Sequence, residues 1–109
     1  MLGPILTVTL ALPDLAAVEH AYAKTLGYQV VDRGEISASV SGVWKASAVE
    51  GRPYLMMQPA SGADFYFRFV ESPTVEGYSA LKTLGWNANE LLVDDVDAMP
   101  ELLKDSGFE

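Results

Sequence analysis

The chain has 109 residues, half of them apolar, which is enough for one hydrophobic core. Acids outnumber bases 15 to 7, for a formal charge of −8, and that balance argues against nucleic acid or an anionic membrane surface as the partner, since both need a clustered basic face. With no cysteine and one histidine, the chain is excluded from disulfide, thiolate and cysteine–zinc chemistry, and from a Ser-His-Asp triad or a His-rich metal site.

Residues 5–12 alternate with period two, the pattern of a half-buried strand: Leu6, Val8, Leu10 and Leu12 share one face, and Thr7, Thr9 and Ala11 the other. Pro13-Asp14 is a helix-start signal. Leu15, Val18, Tyr22 and Leu26 then recur at spacings of three and four, predicting an amphipathic helix over 15–26 stopped by Gly27. A strand follows from Tyr28 to Arg33, ending at Gly34. Residues 35–50 are ambiguous; Ser37, Ser39, Ser41 and Gly42 weaken any regular element, although Val43–Ala46 is a candidate short strand. Tyr54–Gln58 and Phe65–Val70 predict a hairpin about a turn at Ser61–Asp64. Its second strand carries three phenylalanines on one face and Tyr66, Arg68 and Val70 on the other. Residues 73–86 read as a linker with one helical turn around Ser79–Leu84; Asn89–Val93 predicts a strand and Asp97–Ser106 a helix closed by Gly107. The longest apolar run, residues 5–12, falls far short of the ~20 residues a membrane span needs, and the uncharged start is not that of a signal peptide, so the expected setting is the cytoplasm.

The second strand–helix start repeats the first. Leu12-Pro13-Asp14-Leu15 lies 81 residues before Val93-Asp94-Asp95-Val96, and with one deletion Gly27-Tyr28 aligns with Gly107-Phe108. The expected architecture is therefore α+β: a βαβββ module over 1–72, a linker over 73–86, and the first strand and helix of a second module over 87–109. Such an arrangement leaves sheet edge and apolar surface exposed. Either the chain is a piece of a longer one, or a homodimer or a further module completes it.

Leu12-Pro13-Asp14-Leu15, the helix ending Tyr22…Leu26-Gly27-Tyr28, and Val93-Asp94-Asp95-Val96-Asp97-Ala98 resemble the vicinal oxygen chelate superfamily, which includes glyoxalase I, bleomycin-resistance proteins and extradiol dioxygenases. The resemblance covers nearly the whole chain and implies βαβββ modules curled around a cleft. It places the family's metal ligands on Thr7, Arg68 and Ala88, where the family has His, Glu and His. A hydroxyl is a poor ligand, an alanine is none, and a guanidinium repels a divalent cation. The resemblance therefore implies a member without the family's metal site, and no cofactor is expected.

The candidate ligand-binding residues are Thr7, Thr9, Met57, Tyr66, Arg68, Trp86 and Glu90. Thr7 and Thr9 line a small-residue strand face. Arg68 is suited to a bidentate contact with a ligand anion; its bland alternative is an exposed hairpin arginine packed over Tyr66. Glu90 is either the partner of Arg68, a general base, or a solvated carboxylate. Met56, Met57 and Tyr54 shape an apolar pocket or belong to the core, and Trp44 and Trp86 stack on an aromatic ligand or cover a sheet edge. His20 lies away from the apolar stripe of its helix, facing water. The favoured function is metal-free binding of an apolar or aromatic small molecule, with Arg68 on its anionic end. The alternatives are a glyoxalase- or dioxygenase-like enzyme whose metal site lies in other modules, and a structural or dimerisation module without ligand.

Overall fold

A computed structural model describes residues 3–79, 82 and 89–108. The chain divides into two compact units, Met1–Pro73 and Thr74–Glu109.

The first unit is α+β. Its elements run β1 (Thr7–Leu12), α1 (Leu15–Leu26), β2 (Tyr28–Glu35), α2 (Ala38–Trp44), a 3-10 turn (Ser47–Val49), β3 (Pro53–Pro59) and β4 (Tyr66–Glu71). The four strands form one mixed sheet in the order β1-β4-β3-β2. β1 runs parallel to β4, and the other two pairs are antiparallel. The helix α1 is bounded by the residues its sequence announces: Asp14 accepts a hydrogen bond from the Ala17 N–H at 3.0 Å, and Gly27 takes the left-handed conformation, φ 67°, as its N–H closes on the Tyr22 carbonyl.

The face of the sheet toward α1 is the core. Cross-strand pairing aligns Val8 with Phe67 and Leu10 with Phe69, then Leu55 with Phe69 and Met57 with Phe67. Leu55, Met57, Phe67 and Phe69 are all fully buried. From α1, the Tyr22 ring lies 5.4 Å from Phe67 and 4.9 Å from Phe69, while Phe65 stands edge-on to Phe67 at 4.9 Å. Aromatic pairs in such geometries add about 0.5–1.5 kcal/mol each beyond the area they bury. Burial also raises the Tyr22 and Tyr28 hydroxyls above the ordinary tyrosine range.

The segment expected to be ambiguous, with a short strand at Val43–Ala46, is instead helix α2. Two of the serines that make the segment ambiguous in sequence serve the helix. Ser37 caps it, its hydroxyl accepting from the Val40 N–H at 3.2 Å, and Ser41, itself buried, donates to the Ala38 carbonyl at 3.1 Å. Lys45 ends it in the left-handed conformation, φ 54°.

In the second unit, Asn89–Val93 is not a strand. A strand needs a neighbour, and among the described residues of this unit there is no other strand for it to pair with. The expected helix over Asp97–Ser106 contracts to α3 (Met99–Leu103), after which Asp105 turns to φ 59°. Asp95 holds its approach, with one carboxylate oxygen accepting from the N–H groups of Asp97 and Ala98. The helical turn expected around Ser79–Leu84 falls mostly outside the described residues, as do Trp86 and Ala88. No helix among the described residues is long and apolar enough to cross a membrane.

Candidate functional site

The face of the sheet away from α1 carries a different chemistry. Thr7 and Thr9 are exposed along β1 and pair with Tyr66 and Arg68 of β4. Arg68 pairs in turn with Met56 of β3, and Met56 with Asp32 of β2. Thr9, Arg68, Met56 and Asp32 thus form one row across all four strands. The neighbouring row is Ala11, Val70, Tyr54 and Gly34.

Asp32 reaches this face because of a bulge. Strict alternation from Val30, which pairs with buried Met57, would send Asp32 to the α1 side. The register instead slips between Val30 and Asp32, leaving Val31 exposed and turning Asp32 to the side of Met56. Bulges of this kind re-aim a side chain and recur next to functional sites. The Tyr54 hydroxyl then donates to Asp32 Oδ2 at 2.7 Å. That hydrogen bond, with desolvation and the Asp32 charge behind it, lifts the Tyr54 hydroxyl above the ordinary tyrosine range, against an opposing pull from Arg68. Gly34 makes room for the ring: a Cβ there would stand 3.3 Å from Tyr54 Cε1.

Arg68 is half-buried in the middle of the row. Its guanidinium carbon lies 5.2 Å from the centre of the Trp44 ring at the end of α2, within the range of a cation–π contact, and one terminal nitrogen approaches the Met56 sulfur at 4.0 Å. Among the described residues of the first unit, no carboxylate lies within ion-pairing distance of it. Arg33, by contrast, sits on the opposite side of the sheet and binds Glu19 of α1 at 2.9 Å. Beside Arg68 a depression of about 260 Å³ opens between the sheet and α2, lined by Asp32, Glu35, Ile36, Ser37, Val40, Tyr54, Met56 and Arg68. Further along the face, Gln58 Nε2 donates to the Ala63 carbonyl at 3.0 Å and to the Tyr66 hydroxyl at 3.4 Å.

The structure thus brings Thr7, Thr9, Tyr66 and Arg68 to one face. It does not bring Met57 there: that side chain is fully buried in the core, because the hairpin register pairs it with Phe67, and Met56 takes the position on the Arg68 side. Glu90 is exposed and belongs to the second unit. Trp86 lies outside the described residues. His20 is exposed on α1.

Sequence reasoning missed Asp32, whose position depends on the bulge, and left Trp44 without a partner. The paired Val30-Val31, both apolar where alternation would allow one, was the available signal for the first. The run of serines around a capping position was the signal for the second.

Thr7 and Arg68, at the two described positions where the resemblance puts metal ligands, supply a hydroxyl and a fixed cation, a donor set that does not suit a divalent metal. Among the described residues no three His, Cys, Asp or Glu side chains gather in a way that could hold one. Compared with known proteins, the chain matches no family model and no curated sequence.

Proposed function

We propose that this protein binds a small apolar or aromatic molecule bearing an anionic group, on a half-barrel of the glyoxalase and bleomycin-resistance kind, and that Arg68 holds the anion. Two further features belong to the same reading: a second copy or module completes the cleft, and the protein works in the cytoplasm. The observation that carries the proposal is Arg68 itself, a half-buried guanidinium on the floor of a depression with no carboxylate partner in its own unit among the described residues. A guanidinium offers five N–H donors, and a ligand carboxylate or phenolate satisfies them in a way that a thioether and an indole ring do not. The order β1-α1-β2-β3-β4, with β1 returning parallel to β4, also supports a βαβββ reading, with α2 inserted before β3. Edge strand β1, preceded by exposed Ile5 and Leu6, supports the pairing.

The test is calorimetric titration with 3-phenylpropionate, an anion with an aromatic body, on the wild type and on Arg68→Met. A charged hydrogen bond contributes about 1.5–3 kcal/mol, so the variant is expected to bind roughly 10- to 100-fold more weakly. Equal affinity in the two proteins would make Arg68 scaffold and end this reading.

A further inference from the structure

The lining of the depression holds both signs of charge, arranged in order. In the row Thr9, Arg68, Met56 and Asp32, Met56 stands between the two charged residues. Ile36, Val40 and the Met56 thioether supply the apolar wall. Asp32 is fixed rather than free to swing, since the Tyr54 hydroxyl holds one of its oxygens at 2.7 Å. Its other oxygen still has acceptor capacity.

We infer that the ligand of this site is a small zwitterion, a carboxylate and an ammonium group on one apolar body, with the carboxylate on Arg68 and the ammonium on Asp32. The inference rests on the reading of Arg68 as an anion anchor and adds the second pole. A monoanion would satisfy the arginine and leave the Asp32 carboxylate facing the same small space, which an ammonium group neutralises. The dimensions agree. Residues two strands apart have backbones roughly 10 Å from one another, and the Arg68 side chain leans toward β3, as its approach to the Met56 sulfur records. Both poles line the same depression, and an α-amino acid carries its two charges close enough together to meet them from within it. A volume of about 260 Å³ lies just under the ~300 Å³ at which drug-sized pockets begin, and it suits one amino acid with a large apolar side chain.

The experiment compares three probes on the same protein: L-phenylalanine, 3-phenylpropionate, which lacks the ammonium, and 2-phenylethylamine, which lacks the carboxylate. L-phenylalanine is expected to bind at least tenfold tighter than either. Asp32→Asn, which keeps an acceptor for Tyr54, is expected to remove most of that advantage over 3-phenylpropionate, and Arg68→Met to remove the advantage over 2-phenylethylamine. Should Asp32→Asn fail to fold, the wild-type comparison of L-phenylalanine with 3-phenylpropionate still decides the ammonium pole. If 3-phenylpropionate binds as tightly as L-phenylalanine and still depends on Arg68, the zwitterion is overturned and the anion site stands. If none of the three binds, or binding ignores Arg68→Met, both readings are overturned.

Discussion

The guanidinium carbon of Arg68 stands 5.2 Å from the centre of the Trp44 ring, joining the middle of the sheet to the end of α2. The two residues come from segments that sequence patterning treats very differently, a clear alternating strand and an ambiguous serine-rich stretch. Their contact fixes α2 over one part of the sheet and leaves the remaining donors of Arg68 turned toward the depression.

That contact is testable by fluorescence. In a Trp86→Phe background, where Trp44 is the sole remaining tryptophan, Arg68→Met is expected to change the emission intensity of Trp44. It should also destabilise the fold by about 0.5–1 kcal/mol for the lost cation–π contact. Emission and quenching identical to the parent would show that ring and guanidinium do not meet in solution.

Gly34 is expected to resist substitution. A Cβ at 3.3 Å from Tyr54 Cε1 must push the ring aside, and Gly34→Ala should cost about 1 kcal/mol in urea unfolding, the lower end of an overpacking penalty. Because the same shift pulls Tyr54 off Asp32, tyrosinate absorbance should show one hydroxyl titrating earlier than in the parent. Stability and titration curves that superimpose on the parent would contradict the placement of Tyr54.

Alkaline pH is expected to destabilise the protein. Tyr22, Tyr28 and Tyr54 all have hydroxyls raised above the ordinary value of 10.0, the first two by burial and the third chiefly by its hydrogen bond to Asp32. An acid whose folded value is raised keeps its proton longer in the native state than in the unfolded chain. Its stabilising effect is therefore complete below pH 10 and is lost as pH rises through the folded value. Urea midpoints should stay level on this account just below pH 10 and fall above it, with tyrosinate absorbance rising together with unfolding. A stability that climbs above pH 10 would reverse the sign and refute the assignment.

Core and surface should separate sharply. Phe67 is fully buried among Tyr22, Tyr28, Phe65 and Phe69, and Phe67→Ala is expected to cost about 3–5 kcal/mol. Val43, 81% exposed on α2, should tolerate alanine within about 0.5 kcal/mol. Chemical denaturation of the two variants side by side measures the difference.

Much of the first unit was legible because its signals are local. Asp14 and Gly27 bound α1 at the residues the sequence marks, and the alternation of Phe65, Phe67 and Phe69 against Tyr66 and Arg68 correctly separates the two faces of β4. What escaped depends on pairing. Period two cannot say which of Met56 and Met57 shares a face with Arg68, since that is set by the register of the hairpin. Nor can it foresee that one extra residue in β2 turns Asp32 around. Ser37, Ser39 and Ser41 leave the segment ambiguous in sequence, yet Ser37 and Ser41 serve a helix through local hydrogen bonds. The strand expected at Asn89–Val93 shows the reverse error: apolar residues in sequence do not make a strand without a neighbour to pair with.

The parallel pairing of β1 with β4 also shapes how the unit is made. Thr7 and Tyr66 are opposite one another in the sheet but roughly 60 residues apart in the chain, and closing a loop of that length has to precede any reward from the contacts it brings. The hairpin of β3 and β4 and the capped helix α1 can form early from nearby residues, whereas β1 has no sheet partner until the last strand exists. On a ribosome, at ~5–20 residues per second, the first strand made waits several seconds for its partner. Refolding in the millisecond-to-second range of non-local topologies is the corresponding expectation in vitro, with the union of β1 and β4 as the final step.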